Sequence, residues 1–369
     1  MESPLLKLPG AVAADSPDQE VAAHYGEPAH EQRALEAGRA FVDRSNRGVV
    51  RIEGADRLRW LHSLLSQHLE GLRPGEPTEA LLLSPNGHIE HHLHMIDDGE
   101  AVWVHVEPGA APSLVEFLDK MRFMMRVEVA DVSERYAVVT GPAGLGGTLV
   151  WPDAAGTETR IVLRDAPADK ADAKPASETQ ADARGDAQDG ASSEAASPDL
   201  AGLSLATFAE GELRPAGLWA YEAMRIADHK PRMGLDTDHK TIPHEMGWIE
   251  SAVHLSKGCY RGQETVARVH NLGRPPRRLV FLHLDGSVNT LPAHGDPVEI
   301  PGGRTVGFVG SAVRHHELGP IALALVKRNV PVDAELLAGG VAASQEIVVS
   351  PDTGANAKID LRRTAANRA

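Results

Sequence analysis

A segment without large apolar side chains divides this chain of 369 residues. Asp165 to Asp199 contains no Val, Ile, Leu, Met or aromatic residue, and its nine acidic and three basic residues contribute −6 to a net charge of −15. Such a segment cannot bury enough apolar surface to offset the entropy lost on ordering. We therefore predict a disordered insertion at 165–199, which makes residues 31–164 and 200–276 one discontinuous region. Residues 1–30 and 351–369 show little periodicity, and we predict flexible tails there.

Hydrophobic patterns outside the insertion predict mainly strands with a few helices. Five leucines at helical spacing predict an amphipathic helix, namely Leu58, Leu61, Leu64, Leu65 and Leu69. Pro85-Asn86-Gly87 separates two strand-like runs and predicts a hairpin. Short strands with Gly and Pro turns predict a small closed or sandwich-like β-domain over 277–350. Because helices and strands are segregated rather than alternating, the predicted fold class is α+β.

Cysteine count and charge exclude several classes of protein. A single cysteine excludes an intrachain disulfide framework, and it excludes a cluster or zinc site built from two or four of the chain's own thiolates. It fits a reducing compartment. No apolar run reaches about 18 residues, and the N-terminus lacks a convincing secretory core, so we expect a cytoplasmic protein with no membrane association. The acidic balance argues against general nucleic-acid binding.

The single cysteine nevertheless lies in the most basic part of the chain. Lys257 to Arg278 carries a net charge of +5. Gly262 predicts a turn and the residues after it a helix, so that Cys259 would precede a helix N-terminus. The partial positive charge there, with Lys257 and Arg261 nearby, favours thiolate over thiol. The alternative interpretation is an inert, buried cysteine beside a solvated basic face.

The motif KGCYRGQE, followed by VAR, resembles the signature of the YgfZ family. These proteins are bacterial folate-binding relatives of the glycine-cleavage T-protein, and the family includes the mitochondrial factor that helps to mature four-iron clusters. The stretches Val42 to Met95 and Ile242 to Glu245 are also similar to the family pattern. The resemblance maps the family's functional cysteine onto Cys259. The motif residues that carry over with it are Lys257, Gly258, Tyr260, Arg261, Gly262, Gln263 and Glu264.

The resemblance implies a T-protein-like arrangement of three subdomains around a central cavity that binds tetrahydrofolate, with a C-terminal β-barrel-like domain over 277–350. It implies a role in the assembly or repair of iron–sulfur proteins, which indirectly supports tRNA modification. The implied partners are folate and iron–sulfur client enzymes or cluster carriers. Cys259 and Lys257 would form the reactive pair. The predicted folate contacts are His91, Arg225, Asp228, Tyr260 and Arg261.

Two departures from the T-protein pattern bear on activity. Glu90 and His91 stand where T-protein enzymes have paired aspartates, which disfavours true aminomethyl transfer. Ala227 stands where a helix carboxylate would bind the pterin, with Asp228 beside it. Whether the chain is an enzyme stays open. The alternatives are a folate-dependent aminomethyl or methyl transferase and a tRNA-binding module that uses the arginines of 268–278.

Several histidines around the predicted hairpin raise the question of a metal. On a regular strand His88, Glu90, His92 and His94 would share one face, with His91 on the other. A zinc site needs three or four convergent ligands. We favour a polar strand face that lines a wet cavity or solvent, and we predict no metal site.

Overall fold

The computed structural model of the chain describes residues 1–164, 203–249 and 251–354. The insertion predicted at 165–199, and the predicted tail beyond residue 354, lie outside the described residues. Within the described ranges no helix is long and apolar enough to cross a membrane.

Short strands dominate the chain up to residue 164. In chain order the elements are β1 (Val12–Ala13), β2 (Ala22–His24), α1 (Pro28–Glu36), β3 (Ala40–Asp43), β4 (Gly48–Glu53), α2 (Arg57–Leu64), β5 (Pro77–Leu83), β6 (Ile89–Asp97), β7 (Ala101–Val106), α3 (Ala111–Met121), β8 (Glu128–Asp131), β9 (Tyr136–Pro142), β10 (Val150–Pro152) and β11 (Thr157–Leu163). Strands β5 and β6 form the predicted hairpin.

The second part of the chain supplies further helices and then a run of strands. The elements are α4 (Leu205–Glu210), β12 (Arg214–Ala216), α5 (Leu218–Ala227), α6 (Pro243–Met246), α7 (Gln263–Asn271), β13 (Arg277–Leu284), β14 (Pro297–Ile300), β15 (Arg304–His315), β16 (Gly319–Lys327), β17 (Leu336–Ala338) and β18 (Val341–Ile347).

Two five-stranded sheets pack against each other. One has the order β10-β11-β9-β3-β12, and the other has the order β5-β6-β7-β4-β8. Val49 and Trp103 of the second sheet meet Val138, Trp151 and Ile161 of the first in one apolar cluster. The opposite face of the second sheet is covered by α2 and α3. This arrangement confirms the predicted α+β class.

The leucine-rich helix is shorter than its periodicity predicts. Helix α2 ends at Leu64, and the next residue, Leu65, has an extended backbone. Leu65 and Leu69 are nevertheless fully buried in the same core as Leu61. The apolar pattern therefore continues past the helix because the following loop packs on the same sheet.

Strands β13 to β18 form a closed barrel in the order β13-β16-β15-β14-β17-β18, and β18 pairs with β13 to complete it. Side chains alternate along β13, as expected for a strand with two buried faces. Val280 and Leu282 fill the barrel, whereas Leu279 and Phe281 pack outward against the central core. Helix α5 contributes to that central core, so the barrel is fastened to the sheets through its outer face.

The prediction of a loose tail at residues 1–30 is wrong. Leu5, Val21 and Ala22 are buried, and β1 pairs with β2. Asp18 forms a buried ion pair with Arg232, more than two hundred residues away along the chain. The segment has no periodicity because it is anchored by single side chains rather than by one face of a regular element.

Candidate functional site

A cavity of about 350 Å³ lies where the two sheets, helix α5 and the loop after α6 meet. Its size falls within the range of small-molecule sites in proteins. Charged and aromatic side chains dominate its walls, including Arg44, Glu79, His92, His94, His105, Trp151, Asp153, Tyr221, Arg225, Lys230, Arg232 and Trp248.

One wall carries two histidines and a glutamate. Glu79 on β5 lies opposite His94 on β6, so both side chains point to the same face of the sheet. The Nε2 atom of His92 lies 3.0 Å from Oε2 of Glu79, and the Nδ1 atom of His94 lies 3.6 Å from Oε1. The structure thus places Glu79 beside His92 and His94, two of the histidines that the sequence suggested as metal ligands. The sequence did not indicate Glu79.

A β-bulge explains which histidines reach the cavity. The pairing of β5 with β6 shifts by one residue between Leu82 and Leu83. His91 and Glu90 are absent from the cavity wall, and Glu90 instead forms an ion pair with Arg261 at 2.8 Å. The predicted shared face therefore holds for His92 and His94, while Glu90 binds elsewhere.

Burial disfavours the charged form of two neighbouring histidines, His94 and His105. The pKa of His94 falls to about 3, mainly because burial disfavours the charged ring and also because of His92. Burial also sets the pKa of His105 well below its usual value, and His94 adds to the effect. Although burial alone would raise the pKa of Glu79, the hydrogen bond and charge of His92 lower it to about 2.

A second carboxylate, Asp153, faces the cavity from the end of β10. Its Oδ2 atom accepts hydrogen bonds from Arg44 Nη1 at 3.2 Å and from Thr159 Oγ1 at 2.5 Å. The guanidinium of Arg44 lies 3.8 Å from the ring centre of Tyr221. Lys230, which is half-exposed, places its Nζ atom 3.7 Å from Asp153 Oδ1. This corner therefore offers a carboxylate, an aromatic ring and a cation to a ligand.

Buried ion pairs form the floor of the cavity. Arg232 binds Asp18 at 3.1 Å, Glu107 at 2.8 Å and Glu222 at 2.8 Å. Arg225 binds Glu222 and Asp236. Because these guanidinium groups are already matched by carboxylates, they shape the floor and join the N-terminal segment to α5.

The predicted folate contacts are not brought together. Arg225 lines the cavity, whereas His91, Asp228, Tyr260 and Arg261 do not. Asp228 ends α5, and its Oδ2 atom accepts a hydrogen bond from the backbone of Ala155 at 2.7 Å. The carboxylate that faces the cavity in this region is Asp153, which no sequence motif marked. Asp153 reaches this position because the turn after β10 packs on α5, where Tyr221 Oη donates to Asp153 Oδ1 at 3.4 Å.

The cysteine motif forms a loop that presents Cys259 at the surface. Cys259 is exposed and free, and Gly258 beside it is also exposed. Gly262 has a positive φ of 81° and is the N-cap of α7, which confirms the predicted turn and helix start. A Cβ atom on Gly262 would lie 2.6 Å from the carbonyl oxygen of Ser84 and 2.9 Å from Cα of Gly87. The loop therefore rests directly on the turn of the β5–β6 hairpin.

Other motif residues anchor this loop. The ammonium group of Lys257 is buried and donates hydrogen bonds to the carbonyls of His62 and Leu65 at the end of α2. It thus caps a helix C-terminus, a role that the sequence did not indicate. Tyr260 is buried in the central core, and Gln263 Nε2 donates to the carbonyl of Lys257 at 3.4 Å. Glu264 is exposed and pairs with Arg268.

The basic run after the motif is matched by acceptors within the chain. Arg274 pairs with Asp352 at 2.7 Å. Arg277 binds Asp238 at 2.6 Å and the buried Glu245 at 2.8 Å. Arg278 is buried and donates to Gln345 at 2.7 Å. Arg277 therefore joins α6 to the barrel and Arg278 is bound within the barrel, so neither of these two side chains is free to form an RNA-binding surface.

The architecture is that of a known enzyme fold. The structure aligns with the glycine cleavage system aminomethyltransferase T from Bartonella henselae over 94% of this chain and 96% of that chain, with a TM-score of 0.72 and 16% sequence identity. The chain has the T-protein fold. This confirms the predicted arrangement, including the closed C-terminal barrel.

Sequence similarity to curated proteins is low but extends over much of the T-protein fold, and no protein-family model matches. The putative chloroplastic transferase At1g60990 of Arabidopsis thaliana is 24% identical over 68% of this chain, which spans only 57% of that protein. The aminomethyltransferase of Rubrobacter xylanophilus is 26% identical over 89% of this chain and 87% of its own length.

Two further similar proteins are named for iron–sulfur cluster assembly and for tRNA modification. The mitochondrial iron–sulfur cluster assembly factor IBA57 homolog of Mycosarcoma maydis is 25% identical over 64% of this chain and 55% of that protein. The tRNA-modifying protein YgfZ of Aliivibrio fischeri is 27% identical over 36% of this chain and 41% of its own length. The chain is thus similar both to aminomethyltransferases and to this second group.

Proposed function

We propose that the protein is a folate-binding accessory factor for the assembly or repair of iron–sulfur proteins, indirectly supporting tRNA modification, with Cys259 as its reactive thiol. The observation that carries the proposal is the exposure of Cys259 on a loop that is anchored by buried side chains before and after it. Lys257 and Tyr260 on either side of it are buried. A loop built only for packing has no need to present its thiol to solvent, since free cysteines are among the most buried residues. The similarity to the IBA57 homolog and to YgfZ supports the choice of client.

In this proposal the central cavity takes the folate. Trp248 and Trp151 offer flat apolar surface to a pterin ring, and Asp153 accepts hydrogen bonds from its N–H groups. Asp153 would then supply the carboxylate that Ala227 lacks.

The thiol would act on a partner rather than on the bound folate. Cys259 does not line the cavity. As a thiolate it would ligate an iron ion of a cluster. It could also attack an existing disulfide of a client, forming a mixed disulfide as the S–S bond of the client breaks and one client thiolate leaves. The chain has one cysteine, so the remaining thiolate ligands of a cluster would come from the client, the carrier or exogenous thiols.

Titration with tetrahydrofolate tests the cavity assignment, with tryptophan fluorescence as the signal. We expect Asp153→Asn to weaken binding about 10-fold or more, because a hydrogen bond to a charged group contributes about 1.5–3 kcal/mol. Asp228→Asn is the matched control, because that carboxylate lies outside the cavity wall, and it should bind like wild type. No binding by the wild-type protein would refute the folate assignment.

A deletion strain tests the thiol assignment. We expect Cys259→Ser to fail to restore the activity of four-iron dehydratases after oxidative stress while still binding tetrahydrofolate. Full restoration by Cys259→Ser would refute a role for the thiol.

The second candidate is a folate-dependent aminomethyl or methyl transferase, which the fold and the similarity to aminomethyltransferases favour. Against it, Glu90 is paired with Arg261 and does not line the cavity. One-carbon transfer from a methylene donor, assayed with the Cys259→Ala variant, separates the two candidates. Robust turnover that survives the substitution would favour the transferase.

A further inference from the structure

We propose that Glu79, His92 and His94 form a binding site for a divalent first-row transition-metal ion, of the Zn²⁺ or Fe²⁺ class, in the wall of the central cavity. Two imidazoles and one carboxylate are a ligand set that such ions prefer. The three potential ligand atoms lie within 4.8 Å of one another. The three ligands are different residues from those assigned to folate, and the inference does not require folate binding.

The distances suit a metal after small side-chain rotations. A metal–ligand distance of about 2.1 Å places neighbouring ligand atoms roughly 3 to 3.5 Å apart. The separation between His92 Nε2 and Glu79 Oε2 is 3.0 Å, and that between His94 Nδ1 and Glu79 Oε1 is 3.6 Å. The carboxylate already spans both rings with one oxygen directed at each. An ion between them would replace one hydrogen bond and one contact of 3.6 Å without moving the strands.

The backbone holds these ligands on rigid elements. Glu79 and His94 lie directly opposite each other on neighbouring strands. His92 lies two residues before His94, on the same face of the sheet. Sites built on strands keep their geometry better than sites built on loops. The rings are also clamped, because His94 stacks on His105 at a centroid distance of 4.5 Å and His92 packs on Trp248 at 4.3 Å.

An unpaired buried donor beside the ligands points to an occupant. His105 is almost fully buried, and its Nε2 atom has no hydrogen-bond partner among the described residues. Its Nδ1 atom accepts a hydrogen bond from Arg47 Nε at 3.1 Å, so the proton of the neutral ring lies on Nε2. Buried polar atoms are rarely left unpaired. An oxygen atom bound to a metal at Glu79, His92 and His94 would accept a hydrogen bond from this N–H group.

Three protein ligands leave coordination positions open toward the cavity. A metal there would bind water or an oxygen or nitrogen atom of a cavity ligand, as in sites that keep one position free. We expect that ligand to be a small molecule or water that binds the metal through an oxygen atom and accepts a hydrogen bond from His105. The ligand positions are separate from Cys259, which lies outside the cavity wall.

The test uses the full chain, stripped with a chelator and titrated with Zn²⁺ against a chromophoric competitor. We expect one Zn²⁺ per chain. His94→Ala and Glu79→Gln should each weaken binding about 100-fold or more, since loss even of outer partners costs about 10–100-fold. His91→Ala is the matched control on the same strand and should bind like wild type, as should Cys259→Ala. Circular dichroism establishes that each variant is folded.

The visible spectrum of Co²⁺ bound to the wild-type protein identifies the type of metal ligand without the use of variants. A visible ligand-field spectrum without a thiolate charge-transfer band supports the histidine and carboxylate site. A thiolate band, loss of binding in Cys259→Ala, or absence of binding in wild type would overturn it. An equal loss in His91→Ala and His94→Ala would also overturn it. Tetrahydrofolate titration of His94→Ala, run in parallel, separates failure of this site from failure of the proposed folate binding.

Discussion

Substitution of Gly262 by alanine should strongly destabilise the cysteine loop. Gly262 has φ at 81°, a backbone conformation that costs a non-glycine residue roughly 1–2 kcal/mol. The added Cβ atom would also lie 2.6 Å from the carbonyl oxygen of Ser84 and 2.9 Å from Cα of Gly87. Both atoms belong to the backbone of a tight turn and cannot rotate away. Overpacking of this kind costs about 1–3 kcal/mol, so the expected loss in the free energy of unfolding is about 2–5 kcal/mol.

Gly258→Ala is the matched control within the same motif. A Cβ atom on Gly258 meets nothing within 4 Å, and its φ is not positive. We expect a change of less than about 0.5 kcal/mol, as for exposed positions in general. Urea unfolding followed by circular dichroism measures both variants, and iodoacetamide labelling of Cys259 reports whether the loop has moved. Equal stabilities of the two variants would refute the inferred contact between the loop and the hairpin turn.

Three further changes test how the surrounding structure is held, each measured by urea unfolding. Lys257→Met leaves two carbonyls at the end of α2 without their donor, and we expect a loss of about 1–3 kcal/mol; an unchanged midpoint would contradict the capping role. Glu245→Gln removes a fully buried charge from Arg277, and we expect a loss of about 3–5 kcal/mol; a neutral result would show that Arg277 is compensated without it. Burial, with the charge of His270, lowers the pKa of His244 to about 4, whereas the unfolded side chain has a pKa near 6.5. Between these two pH values the unfolded state binds a proton that the folded state does not. The free energy of unfolding is therefore at its full value above pH 6.5 and falls by about 3 kcal/mol as the pH is lowered to 4. His244→Gln should flatten this dependence, and an unaltered pH slope would count against it.

Local sequence patterns predicted the elements around the site well. The turn at Pro85-Asn86-Gly87, the helix start after Gly262 and the individual strands of the terminal barrel all depend on residues close together in the chain. Glycine and proline restrict the backbone locally, and alternating apolar residues mark strands with a buried face. The N-terminal segment was mispredicted because its buried side chains have partners far away in sequence, as in the ion pair of Asp18 with Arg232.

Charge in the sequence was a poor guide to what the charged residues do. The arginines after Cys259 suggested a basic patch, yet Arg277 and Arg278 are held by acceptors from other elements. Lys257 was assigned to the thiol, but its ammonium group caps α2. Ion pairs form between residues that folding brings together, so their partners cannot be identified from the local sequence.

The sequence by itself determined that Cys259 stands alone and that it precedes a helix, because composition and a glycine turn are local properties. The tertiary structure decided which residues face the cavity. Without the bulge in the β5–β6 hairpin, Glu79 would lie opposite Leu93, and the extra residue places it opposite His94 instead. Since side chains alternate between the two faces of a sheet, a shift of one residue exchanges the faces. That shift depends on how the two strands pair, and it brings Glu79, His92 and His94 together.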